Sequence, residues 1–404
     1  MAGRASVPSP RRSFCPVSEL VAGDGYRWWG SATSAPSAYC MRDYVRNAAV
    51  IGLTVGLMAF FLRNADLASV WSEIRRARLD LLVASVLVIA LSFVIRIRRW
   101  QLLLAPIGRV GFGSAGRATV IGFAASAVLP GRLGEVLRPY LLARGEGLST
   151  SAAIATIVLE RVTDLITVVS LLGVFLLFFS SGLLQTDEPA LAALRGGGAL
   201  AALGAAAALV AIVFAARAPD RLGAVVARAL PDRFGASVRA ALTQFGDGLG
   251  VAREPTRLAV VLAWSLALWL CVCASAWYVC HAFGIGLPAS GSLVVMVMMV
   301  LGVAVPTPAG AGGFHAAFQL AVTSFYGAPV DAAVGAAVIL HLASFGPVTV
   351  LGLVLMIRTG LTFRGAVDLA SSVSRDRTPE LAQVESAGGV VPIDAADPVE
   401  PSGT

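Results

Sequence analysis

The chain has 404 residues, of which 57 % are hydrophobic and 14 % charged, and its mean hydropathy is +0.79. Soluble domains carry about 25 % charged residues, so this composition excludes an ordinary soluble protein and identifies an integral membrane protein. The net charge of +7 comes from arginine alone, as the sequence holds no lysine. Those arginines cluster at the ends of apolar segments, which is a topology signal rather than the basic, aromatic-interleaved face of a nucleic-acid binder.

Residues 1–44 are rich in Ser, Pro, Gly and Arg without an apolar run, and read as a disordered extension. Arg11-Arg12 lacks the following apolar stretch of an export signal, and Met41, directly before the first apolar segment, is an alternative start. The first spanning candidate lies between Arg46 and Arg63, the second between Asp80 and Arg96, with an interfacial amphipathic turn over Asp66 to Arg78. A third begins near Ser151, carries Glu160, Arg161 and Asp164, and continues uncharged from Leu165 to Thr186. Gly196 to Ala216, Leu258 to Phe283 and Ala332 to Ile357 supply the fourth, fifth and sixth, each near the ~20 residues a crossing needs. Residues 359–404 are polar and acidic and read as a disordered cytoplasmic tail.

Two further apolar segments are interrupted. Ala118 to Leu129 stops at Pro130-Gly131, with Gly134 following, and Ser292 to Val305 stops at a run containing Pro306, Pro308, Gly310, Gly312 and Gly313. Proline removes a backbone donor and glycine loosens the chain, and at membrane depth such breaks are tolerated only against protein or a water-filled cavity. Both segments read as re-entrant hairpins, near 114–142 and 290–325. Residues 217–257 hold seven Arg against four acidic residues, whereas 184–195 hold one against two, which places the former in the cytoplasm. The loop 63–79, with four Arg, falls on the opposite side and disagrees with that rule. The expectation is an all-α integral membrane protein with six spanning helices and two re-entrant hairpins. Residues 45–186 and 187–358 form an inverted repeat, and both termini are cytoplasmic. Eight full crossings is the alternative.

Chemistry concentrates at few places. Arg96, Arg98 and Arg99 close the second helix beside Trp100, either as a positive anchor at the interface or as an access point for anionic headgroups. Arg132, Glu135 and Arg138 recur every three residues, one stripe of alternating charge if helical. Glu160 and Asp164 share a helix face with Arg161 beside it, placed either at the interface or against a partner inside the membrane, for which Arg132 or Arg138 is the natural counter-ion. His315 follows the second break and His341 lies within the sixth helix, with no third donor at metal-binding spacing. The five cysteines read as packing residues. No catalytic set, nucleotide loop, cofactor site or metal site is expected.

Four motifs in order, Arg-x-Arg-Arg-Trp at Arg96 to Trp100, Leu-Pro-x-Arg-x-Gly-Glu-x-x-Arg at Leu129 to Arg138, Glu-Arg-x-x-Asp at Glu160 to Asp164 and Pro-x-Pro-x-Gly-x-Gly at Pro306 to Gly312, resemble the lysylphosphatidylglycerol synthase transmembrane family, or flippase-like domain proteins. The resemblance covers roughly residues 45 to 358. It implies a bacterial plasma-membrane translocase related to the flippase half of multiple-peptide-resistance-factor proteins. By that resemblance its lipid path would be lined by Arg132, Glu135, Arg138, Glu160, Arg161 and Asp164, and His315, where the family has Glu, is expected on the same path. The chain departs from the family pattern where the usual Pro-Gly-Gly-x-Gly and later Glu appear as Pro308-Ala309-Gly310-Ala311-Gly312 and His315. The 47 residues after Ile357 are too few for the soluble aminoacyltransferase domain, so the expectation is translocation rather than lipid synthesis. The alternative is an integral transferase or accessory subunit acting on lipid-linked sugars or aminoacylated lipids. Expected partners are membrane lipids, whether anionic or aminoacylated phospholipids or polyprenyl-phosphate-linked, with a separately encoded glycosyltransferase or aminoacyltransferase and a second copy as candidate protein partners.

Overall fold

A computed structural model describes residues 38–128, 133–179, 188–218 and 232–359. Every regular element among them is helical: α1 Ala38–Leu62, α2 Leu67–Arg76, α3 Leu79–Leu104, α4 Phe112–Val128, α5 Gly134–Glu146 and α6 Thr150–Phe178 are followed by α7 Glu188–Arg217, α8 Asp232–Gly248, α9 Pro255–Ala282, α10 Gly291–Ala304, α11 Gly313–Tyr326 and α12 Val330–Arg358, with short 3-10 turns at Gly250–Arg253 and Pro308–Gly310. The residues up to Leu53 and those from Thr54 onward make two compact units, and the contacts below belong to the second.

Five helices among the described residues are long and apolar enough to cross a membrane, and a sixth is counted if Ala48–Leu62 and Leu67–Arg76, bent by 76°, act as one. The chain is a multi-pass membrane protein. Its outward faces agree with that medium: Leu177 and Ile357 are 80 % and 76 % exposed, tolerable against hydrocarbon and a liability in water. The helices α4 and α10, at 17 and 14 residues, are about 26 and 21 Å long at 1.5 Å per residue, shorter than the ~30 Å core of a bilayer.

Local sequence explains where elements stop. The Asp66 carboxylate accepts from the Ala68 amide at 3.1 Å and the Ser69 hydroxyl at 2.8 Å, starting α2, whose N-terminus is tied to that of α12 by the Asp66 amide donating to Asp331 at 3.0 Å. Helix α5 ends on Gly147 (φ 67°, ψ 28°) and α11 on Gly327 (φ 62°, ψ 25°). Both are left-handed caps that only glycine adopts freely.

The packing pairs recur along the chain. Helix α3 lies along α9, α4 folds back on α5 as α10 does on α11, and α6 and α12 dock on the short helices α8 and α2. The α4 and α12 backbones approach so closely that a Cβ on Gly352 would collide with the Val120 carbonyl and Ala124. Overpacking costs about 1–3 kcal/mol, and Gly352→Leu is expected to lower the thermal unfolding midpoint of the detergent-solubilised protein. An unchanged midpoint would show that the two helices are not held in contact.

Candidate functional site

In α6, residues four apart share a face, so Glu160 and Asp164 both point inward, and both are buried. Their partners come from three other helices. Arg99 of α3, fully buried, donates to Asp164 through Nη1 in a short contact and through Nη2 at 3.2 Å. The same Nη2 lies 3.2 Å from Glu160, and Nη1 also reaches the Ser265 hydroxyl of α9 at 2.7 Å. Arg138 of α5 donates to both Glu160 oxygens at 3.2 Å and stacks on the Trp100 ring at 3.8 Å. Trp100 donates through its indole to Thr156 at 3.1 Å, and Trp269 donates to Asp164 at 3.0 Å. The four buried charges, Arg99, Arg138, Glu160 and Asp164, cancel, which is the condition under which charges persist away from water.

Arg161 and Glu135 form the half-exposed edge of this cluster. Their charged groups lie 4.0 Å apart, and Arg161 also reaches Glu160 at 3.4 Å and Asp164 at 3.7 Å. That edge opens into a cavity of about 400 Å³ between the α4–α5 and α10–α11 hairpins, a volume suited to a small ligand or a headgroup. One wall is charged, from Arg96, Glu135, Arg138 and Arg161, and the other is apolar, from groups such as Met299 and Phe345. The Arg96 guanidinium lies 5.1 Å from the Phe123 ring, and its buried Nε has no hydrogen-bond partner among the described residues. A cavity with one charged wall and one greasy wall is shaped for an amphiphile.

The three arginines expected as one headgroup access point do not lie in one environment: Arg98 is turned 100° away from Arg99, and only Arg96 reaches the cavity. Arg96 lines the cavity, Arg99 is sealed in the ion-pair cluster, and Arg98 is exposed, over the Phe112 ring at 4.9 Å and bonded to Gln101. Leu129, Pro130, Gly131 and Arg132 lie outside the described residues, while Gly134 opens α5 directly against Gly122 of α4.

At the second break, Thr307 is extended, and Ala309, Gly310 and Gly312 have φ of 52°, 70° and 81°. Pro308 starts the 3-10 turn, and Gly313 opens α11 against Gly302 of α10. His315 does not line the cavity as expected of a path residue. It is drawn back by the Gly312 amide, which donates to Nδ1 at 3.3 Å, and it stands beside His341 and Phe61, with ring centroids 4.4 and 5.1 Å away. Ser265 and Trp269 are the partners that sequence reasoning missed. Their signal was a hydroxyl and an indole four apart, on one face of α9.

A family model described as the lysylphosphatidylglycerol synthase TM region matches residues 47–352, which includes every element from α2 to α11. The chain belongs to this family. Members of the lysylphosphatidylglycerol synthase TM family are membrane proteins of lipid or glycolipid metabolism, and the cluster and cavity both fall inside the matched region. The chain is also similar to glycosyltransferase AglD of Haloferax volcanii, 26 % identical over 386 residues, covering 88 % of this chain and 60 % of that relative. The match thus leaves about 40 % of the relative's length without a counterpart here.

Proposed function

We propose that the protein is a translocase that carries a phospholipid or lipid-linked intermediate between leaflets, in a bacterial plasma membrane with both termini cytoplasmic. One observation carries this reading: the cavity joins a charged wall with unspent hydrogen-bonding capacity at Arg96 to an apolar wall, between two helical hairpins too short to span. A headgroup phosphate would be received by Arg96 and Arg161, with the acyl chains against the apolar wall and the bilayer. The buried Arg99, Arg138, Glu160 and Asp164 would hold the wall in place rather than travel with the lipid. The recurrence of short helix, long helix, hairpin and long helix supports an inverted repeat, the layout in which interrupted segments at equivalent positions meet at the substrate site. The similarity to a protein named a glycosyltransferase supports a second reading, an accessory or transferase role on lipid-linked sugars.

Reconstitution in liposomes with fluorescent anionic, zwitterionic and aminoacylated lipids separates the two. Lipid-selective leaflet exchange is expected, falling at least tenfold in Arg161→Ala and in Arg96→Ala. Folded protein that exchanges none of these lipids would remove the translocase reading and leave the accessory role.

A further inference from the structure

One register relates the two hairpin regions. The left-handed caps Gly147 and Gly327 are 180 residues apart, as are the first residues of α6 and α12, Thr150 and Val330, and both helices run for 29 residues. Gly122 and Gly302, again 180 apart, each meet the glycine that opens the next helix. In this register Glu135 corresponds to His315, and Arg161 corresponds to His341. The first couple faces itself across 4.0 Å as an ion pair, and the second as two imidazoles with centroids 4.4 Å apart.

We propose that the His315–His341 couple is a proton-binding site, the titratable counterpart in the second half of the fixed Glu135–Arg161 ion pair in the first. The hydrogen bonds assign the protons. The Ala309 carbonyl accepts from Nε2 of His341 at 3.0 Å, so Nε2 carries the hydrogen and Nδ1 is the free acceptor. The Gly312 amide donates to Nδ1 of His315, which leaves Nε2 as its protonated nitrogen. An added proton enters at Nδ1 of His341 without breaking a backbone contact, and the cation it creates lies against the Phe345 and Phe314 rings, at 4.7 and 5.3 Å. A second proton would have to displace the Gly312 amide from His315 and set two cations side by side. The couple therefore takes one proton and resists the next.

Among the described residues, the two rings are bonded only to backbone and packed against each other and aromatic rings, while the charged groups Arg96, Glu135, Arg138 and Arg161 line the cavity beyond Phe314 and Phe345. Among the described residues, Phe61 of α1, Phe314 of α11 and Phe345 of α12 complete the ring contacts. Arg63, after α1, lies over Phe60. On the elements that pack against α12, Arg117 is bonded to Ser114, Asp80 is paired with Arg78, and His281 is bonded to the Trp277 carbonyl, while Asp331 of α12 itself accepts from the Asp66 amide. Protonated, His341 carries at the second break the positive charge that Arg161 carries permanently at the first. The couple lies behind Phe314 and Phe345, which line the cavity, so a bound proton would make that apolar wall attractive to an anionic headgroup through space, which couples lipid movement to proton uptake. That consequence rests on the translocase reading, whereas the binding of the proton does not.

The test uses full-length protein with isotope-labelled histidine in lipid nanodiscs, where three histidines give three assignable imidazoles. As the pH is lowered from about 8 through and below the range where imidazole normally titrates, Nδ1 of His341 is expected to take up one proton while His315 keeps its tautomer. His341→Gln, which retains an N–H for the Ala309 carbonyl, should release His315 to titrate alone, and His315→Asn, which retains an oxygen for the Gly312 amide, should leave His341 titrating as an isolated ring. Two independent titrations in the wild type, or none, would overturn the proposal. In liposomes His341→Gln, which removes the site of uptake, should change the pH dependence of exchange while His315→Asn retains one, and a His341→Gln profile identical to wild type would overturn the coupling. Absence of exchange at every pH would count against the translocase reading alone, with the nanodisc titration still deciding the proton site.

Discussion

Replacing Arg99 with methionine is expected to remove most of the folded protein. The guanidinium is fully buried and serves Asp164, Glu160 and Ser265 at once. Its loss strands two carboxylates with only Arg138 and the partly exposed Arg161 to balance them. Removing one partner of a buried pair costs about 3–5 kcal/mol, a large share of the 5–15 kcal/mol that holds a typical protein together. The double variant Arg99→Met with Asp164→Leu should recover much of that loss, since Arg138 and Glu160 remain as a neutral couple. Thermal unfolding of the detergent-solubilised variants measures both values. A single variant as stable as wild type would mean that water or lipid already neutralises these carboxylates, and the sealed cluster would have to be abandoned.

Two glycines of the same helix should respond to alanine in opposite directions. A Cβ on Gly134 would strike the Gly122 carbonyl and the Ser126 side chain, so α5 could no longer lie against α4, whereas around Gly145 nothing stands within 4 Å. Helix propensity favours alanine over glycine by about 0.8–1.0 kcal/mol at either position, but a collision with backbone cannot be relieved by a rotamer change and carries an overpacking cost of about 1–3 kcal/mol. Gly134→Ala should therefore lower the unfolding midpoint and, on the translocase reading, abolish lipid exchange, while Gly145→Ala should match or exceed wild-type stability. Equal responses from the two variants would dissolve the argument that the hairpin closes on a glycine contact.

Much of this site could be read from sequence because helical spacing is short-range information. The four-residue step from Glu160 to Asp164 put both carboxylates on one face, and Arg138 was one of two counter-ions anticipated. Arg99 was not separable from Arg96 and Arg98, because three cations within one turn look alike until the direction of α3 relative to α6 is known. Arg132, the other anticipated counter-ion, lies outside the described residues. His315 and His341 looked like isolated rings because their meeting depends on how α11 turns back onto α12, a long-range fact with no local signal. The interrupted segments were conspicuous for the opposite reason: proline and glycine announce a break wherever they occur.

The buried cluster also imposes an order on how the protein is made. Arg99 precedes Asp164 by 65 residues, and at a synthesis rate of 5–20 residues per second roughly 3 to 13 s pass before its partner exists. During that interval α3 would sit in the bilayer with an uncompensated cation one turn from its end, within reach of the interface by extension of the side chain. Arrival of α6 would draw that charge inward, so the third and sixth helices would be seated in the membrane as a pair, with α4 and α5 waiting between them. The uncharged stretch from Leu258 to Val330 faces no such delay. The first half of the chain would therefore set the pace of insertion, and the second half would settle onto a scaffold already neutralised.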